Sequence, residues 1–286
     1  MSSAWLFLLG VLLTTGASAV SIPLVSVYGP VDLAWLRFVS TLLLIPLILR
    51  LRPQTPVLPT TRQFLGLAVL GAVSLAGLFL MLFALQGLEL ATATGIFFCY
   101  PFISVALAAI FLREDVGLLV WTLTLLGLLG VFLLFDPHAA GVSLFSMAAL
   151  GSGVAVAVRM LLTRALGLGL PPVTTTAGEA MVAACLLLPF LSLGPLLSGQ
   201  ALGYLALYLV LANGSRFMIV IALSRVDLTA LAPLGYSEVV FAAIIQWLFF
   251  SQTITAFEAA SFTAILAAGL GVAQVRIRPV RDPGDL

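Results

Sequence analysis

Apolar positions along this chain gather into long blocks instead of alternating with polar ones. Ten blocks are long enough to be membrane-crossing helices, at about 4–25, 31–50, 65–85, 91–112, 117–135, 143–164, 174–197, 202–224, 229–250 and 255–275. About 20 residues at 1.5 Å rise suffice to span the hydrocarbon of a bilayer. The breaks between blocks are short and carry turn chemistry: Tyr28-Gly29-Pro30, Arg52-Pro53 through Pro59, Asp136-Pro137, Pro171-Pro172 and Ser198-Gly199-Gln200. The short alternating segments of a membrane barrel are absent. The pattern predicts an all-α integral membrane protein with no room for a soluble domain.

Composition agrees. Of 286 residues, 62% are hydrophobic and 8% charged, with a mean hydropathy of +1.25, where an ordinary soluble domain has about 25% charged residues. The run at 4–22, with Ala17-Ser18-Ala19 inside it, superficially resembles a cleaved leader. No Lys or Arg precedes the apolar stretch, so it is read as the first span.

Charge supplies the orientation. The chain has no lysine and twelve arginines. With the N-terminus in the cytoplasm, the cytoplasmic segments hold Arg50, Arg52, Arg62, Arg113, Arg164, Arg225, Arg276, Arg278 and Arg281, whereas the opposite face holds Asp32, Glu89, Asp136 and Glu258 but no arginine. The positive-inside rule then places both termini in the cytoplasm. The net charge of +1 carries no nucleic-acid signal, and the expected partners are the lipid bilayer and a small molecule.

Sliding the chain on itself by 138 residues sets the segment from Ala84 against the segment from Ala222, so that Glu89 meets Asp227 and Tyr100 meets Glu238. Arg37 and Glu179 each follow a proline by seven residues, Pro30 and Pro172. The chain is therefore expected to divide into two five-helix repeats, residues 1–138 and residues 139–286, the second with a short cytoplasmic tail. An odd number of helices per half inverts one half against the other, a plan that puts a substrate site near the midplane.

Five ionisable residues fall inside predicted spans: Arg37, Arg159, Glu179, Arg216 and Glu238. Each costs roughly 2.5–3.5 kcal/mol at the bilayer centre on insertion scales, so such residues face a bundle interior or a water-filled cavity. Glu238 and its counterpart Tyr100 are expected near mid-membrane, with Phe97, Phe98 and Tyr236 supplying aromatic surface beside them. Two readings of Glu238 are open: a protonated, hydrogen-bonded helix contact, or a cavity carboxylate that binds an amino group or a coupling proton. Glu179 and Arg216 lie at similar depths, with Arg159 slightly shallower, and the three read as an ion pair or gate latch. Arg37 stands nearer the other face, where it snorkels to the interface, pairs with Asp32 or serves a gate.

The segment ALQGLELATATGIFFCYPFISVALAAIFLRED, with Pro101 and Glu114 thirteen residues apart, the segment YSEVVFAAIIQWLFFSQTIT, and WLRFVSTLLLIPLIL with Arg37 resemble paired helix motifs of the drug/metabolite transporter superfamily. The likeness is to its EamA-type ten-helix exporters and covers essentially the whole chain. The resemblance implies two inverted five-helix halves around an aromatic-lined cavity, and export of amino acids or related small metabolites across a bacterial inner membrane. Glu238 falls where that family often has glutamate followed by proline; here Val239 follows, and Gln252 stands where an acidic residue is common.

Absences narrow the mechanism. No Walker motif is present, and without lysine none can form, so ATP hydrolysis by that route is excluded. His138, Cys99 and Cys185 are too scattered for an intramembrane metal site or catalytic triad. The expectation is therefore a carrier without cofactor, and not an enzyme. It works by alternating access with a gradient or downhill, proton coupling falling to Glu238 or Glu179, as a monomer or homodimer. The rival readings are a drug or organic-cation exporter, and a sugar-phosphate or nucleotide exchanger, whose substrates call for cavity cations that a lysine-free chain supplies poorly.

Overall fold

The structure is a computed structural model, and it describes residues 3–51, 58–111, 113, 116–133, 143–166, 168–192, 201–223, 235–251 and 255–274. Among these every regular element is helical: α1 (Ser3–Leu51), α2 (Thr61–Ala84), α3 (Leu90–Phe97), α4 (Tyr100–Phe111), α5 (Leu118–Leu133), α6 (Leu144–Leu166), α7 (Pro172–Leu187), α8 (Leu202–Leu223), α9 (Ser237–Phe250) and α10 (Ala256–Gln274), with one 3₁₀ turn at Leu188–Phe190. Six stretches within the described residues are long and apolar enough to cross a membrane, and α5, α9 and α10 are shorter apolar helices.

The first of these stretches, Ala4–Leu47, has 44 residues. A straight helix of that length would reach about 66 Å, twice the hydrocarbon thickness. It is not straight. Gly29 interrupts it at φ 74°, ψ 162°, a backbone conformation open to glycine and closed to residues with a Cβ. Pro30 follows, its fixed φ suited to the first position of a new helix. The expected break at Tyr28-Gly29-Pro30 is thus a kink that divides α1 into two limbs.

Other boundaries follow from local chemistry. Thr60 and Gln63 form a capping box at the start of α2, and Thr255 with Glu258 does the same for α10, Glu258 accepting from the Thr255 N–H at 2.8 Å. The predicted helix 91–112 is broken in two. Pro101 has no N–H to give the Phe97 carbonyl and crowds it, and the chain tightens there, Cys99 N–H bonding to the Ile96 carbonyl at 3.1 Å. The predicted helix 174–197 ends at Leu187 because Pro189 stands in the next turn, which is 3₁₀. The predicted start at 229, and the turns at 52–57, 136–137 and 198–200, lie outside the described residues.

Packing is reciprocal across the chain. α8 lies along α1, α2 lies against α6 and α7, α5 pairs with α10, and α3 packs on α6 and α9. One core gathers Ile96, Phe98, Phe102, Val239 and Ile265; a second gathers Leu24, Leu33, Phe38, Ala183 and Tyr208. The outward faces stay apolar, with Leu129, Phe132, Val210 and Phe249 all exposed, as a lipid-facing surface requires.

Side-chain amides and hydroxyls tie the helices together where apolar packing alone is not directional. Asn213 of α8 donates to Ser40 Oγ at 2.9 Å and accepts from Thr41 Oγ1 at 3.1 Å, and both hydroxyls also bond to the Arg37 carbonyl. Thr14 and Ser215 share a short hydroxyl contact between the same two helices. Asp32 accepts from the Ser192 N–H at 3.1 Å and from its hydroxyl at 2.5 Å. The pairing of Arg37 with Asp32 that the sequence allowed is not formed. Five residues at 100° per residue put the two side chains on different faces of the helix, and Asp32 is already engaged.

Candidate functional site

The break between α3 and α4 gathers Phe97, Phe98 and Tyr100 around one point. Ring centroids lie 5.8 Å apart for Phe97–Phe98, 5.1 Å for Phe97–Tyr100 and 5.5 Å for Phe98–Tyr100, within the range of favourable aromatic contact. Tyr236, at the entry to α9, completes the cluster with its ring 5.6 Å from Phe98. Phe98 and Tyr236 are 138 residues apart, the shift at which the sequence repeats, and each stands at a helix discontinuity.

Two glycines make room for this wall. A Cβ on Gly269 of α10 would lie 2.1 Å from the Tyr236 ring, and one on Gly153 of α6 would lie 2.4 Å from Cys99 Sγ and 2.6 Å from the Phe97 carbonyl. Any larger residue at either position would displace the aromatic group or the break itself.

Glu238, in the first turn of α9, interacts electrostatically with Tyr100 on one side and Arg37 on the other. It forms no ion pair among the described residues. Glu238, Tyr100 and Arg216 are each surrounded by protein, yet each retains some accessible surface. All five residues expected around the substrate, Phe97, Phe98, Tyr100, Tyr236 and Glu238, are brought together.

The second group is resolved differently from the expectation. Arg159 of α6 and Glu179 of α7 form a forked ion pair: Arg159 Nε donates to Oε2 at 3.1 Å, and Nη2 donates to Oε2 at 2.9 Å and Oε1 at 3.1 Å. Ser74 of α2 donates to the same Oε2 at 3.1 Å. Arg216 of α8 is near enough to feel Arg37, Arg159 and Glu179, but the two Glu179 oxygens are already occupied. It stands outside the pair.

Two residues that sequence reasoning passed over belong to this picture. Tyr208 of α8 is 1% exposed, and its hydroxyl has no hydrogen-bond partner among the described residues. Arg37 lies beside it without meeting hydrogen-bond geometry. Nothing in an apolar run separates this tyrosine from a lipid-facing one such as Tyr204, which is 60% exposed.

Gln246 of α9 is the other. Fully buried, it accepts from the Ala91 N–H at 2.7 Å and donates to Glu89 at 2.6 Å. It thereby satisfies one of the free N–H groups at the start of α3 and holds the residue just before that helix. Glu258 of α10 accepts from Thr92 Oγ1 at 3.0 Å beside it. Partial burial and the Glu258 charge raise the Glu89 carboxyl above the ordinary carboxylate range, and the Gln246 amide opposes them. A recess of about 300 Å³ opens here, lined by Ile22, Leu85, Glu89 and Phe250 among others.

Comparison with known proteins places these features in a family. The EamA-like transporter family model matches residues 1–136 and 144–273. The S-adenosylmethionine uptake transporter of Rickettsia bellii is 26% identical over 227 residues, covering 77% of this chain and 76% of that protein. Its counterpart in Rickettsia felis is 27% identical, covering 77% and 75%. A protein of known crystal structure superposes with a TM-score of 0.66 over 99% of each chain, at 20% identity, a likeness of fold.

Proposed function

The chain belongs to the EamA-like transporter family, a membrane transporter therefore, and from that premise we propose that it carries amino acids or metabolites with an amino-acid head group by alternating access between two inverted halves. One observation carries the reading. Glu238 stands without an ion-pair partner among the described residues, beside the four aromatic rings that close around the two helix breaks. Broken helices in corresponding positions of two halves are where carriers of this plan bind cargo.

The inverted repeat has further support. The breaks fall 138 residues apart, the family match divides near residue 140, and the packing is reciprocal: α2 lies on α6 and α7 as α8 lies along the two limbs of α1. On this plan the chain crosses the inner membrane ten times with both termini cytoplasmic, as the nine arginines on one face favour.

Accessible surface on Tyr100, Arg216 and Glu238, groups otherwise enclosed, supports a central cavity lined by them. The Arg159–Glu179 pair then serves as structure or latch. Since Glu179 is engaged, Glu238 is the in-span carboxylate that takes the cargo amino group or a coupling proton. S-adenosylmethionine, the cargo named for the relatives, carries an α-amino acid head group, a sulfonium and an aromatic base. An aromatic wall with a carboxylate suits all three.

Purified protein in liposomes, loaded and assayed for counterflow with labelled amino acids, S-adenosylmethionine, sugars and organic cations, tests the proposal. Flux of amino acids or S-adenosylmethionine is expected; flux confined to sugars, or none, overturns it. Assay with substrate on either side gives the direction, expected as export under an outward gradient. In Glu238→Gln, loss of pH dependence with flux retained assigns the proton to this residue, and loss of flux at every pH assigns the amino group.

A further inference from the structure

With Arg159 and Glu179 paired and the buried Asp32 held by Ser192, the other in-span ionisable groups, Arg37, Arg216 and Glu238, form no ion pair among the described residues. Beside Arg37 lies the Tyr208 hydroxyl, buried and without a hydrogen-bond partner among the described residues. A buried hydroxyl is normally satisfied; the neighbouring guanidinium can only donate, so the Tyr208 proton has no acceptor among the described residues.

The backbone carrying Arg37 is held in place. Ser40 and Thr41 donate to its carbonyl, and Asn213 of α8 bonds to both of their hydroxyls. The limb of α1 that bears Arg37 is thereby locked to the helix that bears Tyr208. A guanidinium offers a planar fork of donors matched to a carboxylate, and a phenol adds one donor more. On its other side Arg37 senses the Glu238 charge without forming an ion pair with it.

We propose that Arg37 and the Tyr208 hydroxyl form a carboxylate subsite, facing Glu238, so that the cargo is a zwitterion held by its α-carboxylate on Arg37 and by its ammonium on Glu238. This rests on the carrier reading above and adds the head group that the carrier requires. Arg37 moves from an interfacial or structural residue to a binding residue. An organic cation lacking a carboxylate satisfies Glu238 but leaves Arg37 and Tyr208 unfilled, so it binds poorly.

Counterflow of labelled L-phenylalanine, L-methionine and S-adenosylmethionine into proteoliposomes tests this. The competitors are unlabelled phenylalaninamide, phenethylamine and methioninamide, which keep the amine and lose the carboxylate. In the native protein these compete more weakly than the parent amino acids by about tenfold or more. In Arg37→Gln that discrimination disappears, in Arg37→Lys part of it is kept, and in Tyr208→Phe the parent amino acid loses affinity several-fold.

Equal competition by amines and amino acids in the native protein overturns the subsite and leaves the carrier reading standing, as does discrimination undiminished in Arg37→Gln. No flux of any probe overturns both. Should Arg37→Gln fail to fold, judged by size-exclusion profile in detergent, the native protein's own preference and the Tyr208→Phe result still decide.

Discussion

Two glutamates stand within the apolar helices, and their surroundings could hardly differ more. Glu179 is buried, accepts the fork of Arg159 and a hydroxyl from Ser74, and has both oxygens occupied. Glu238 keeps accessible surface, has aromatic rings for neighbours and makes no ion pair among the described residues. Depth in the membrane puts a carboxylate at a cost, and neighbours determine whether that cost is met inside the protein or by a ligand. The first arrangement holds helices together. The second leaves chemistry unspent.

The largest expected effect breaks the satisfied side of this comparison. Arg159→Leu leaves the Glu179 carboxylate buried and unpaired, and a loss of about 3–5 kcal/mol is expected for such a change. Glu179→Leu costs less, because the Arg159 side chain, 39% exposed against 7% for Glu179, is the less enclosed of the two when left unpaired. Thermal unfolding of the two variants in detergent, followed by circular dichroism, checks the order; equal losses would contradict this account of the pair.

Next in size is Gln246→Leu. The Ala91 N–H at the start of α3 then lacks an acceptor, which costs about 1–3 kcal/mol, while Glu89 can hydrate at its exposed position. Cargo selectivity should be unchanged and unfolding should come earlier. Glu238→Gln inverts that result: with no ion pair among the described residues to lose, its stability is expected to move less than that of Arg159→Leu, whereas transport or its pH dependence is altered. A Glu238→Gln protein as destabilised as Arg159→Leu would erase the distinction between the two glutamates.

The smallest effect concerns Glu89. Its carboxyl is raised above the ordinary range by burial and by Glu258, so the folded state holds that proton more tightly than the unfolded chain does. Its contribution is complete below the ordinary carboxylate pKa and is lost as pH rises through the raised value. Glu258→Gln removes the repulsive part, and the Glu89 titration, read by carboxyl infrared absorption, moves toward the ordinary range. An unmoved titration would mean that Glu258 exerts no influence there.

Much of this arrangement was legible in the sequence. Run length gave the helices, prolines and Gly29 gave their ends, and the 138-residue shift singled out Tyr100 and Glu238 with Phe97, Phe98 and Tyr236 around them. The Arg159–Glu179 contact follows from similar depth on consecutive helices. Other features were hidden for one physical reason. In a soluble helix the polar face marks the outside, but here lipid-facing and core-facing sides are both apolar, so nothing in the pattern fixes how each helix is turned. The pattern therefore gives Tyr208 and Gln246 no role of their own, does not separate Arg216 from the Arg159–Glu179 pair, and leaves Asp32 open to Arg37 although Ser192 holds it.

The Arg159–Glu179 fork has a consequence for how the chain enters the membrane. The two residues are twenty apart, on helices that follow one another directly. An isolated arginine at the centre of a helix costs roughly 2.5–3.5 kcal/mol to insert. Emerging together, α6 and α7 can pass into lipid as an electrically neutral hairpin, before any other part of the bundle is there to receive the charge. Arg37 and Arg216 form no such pair among the described residues, and must await the assembled protein.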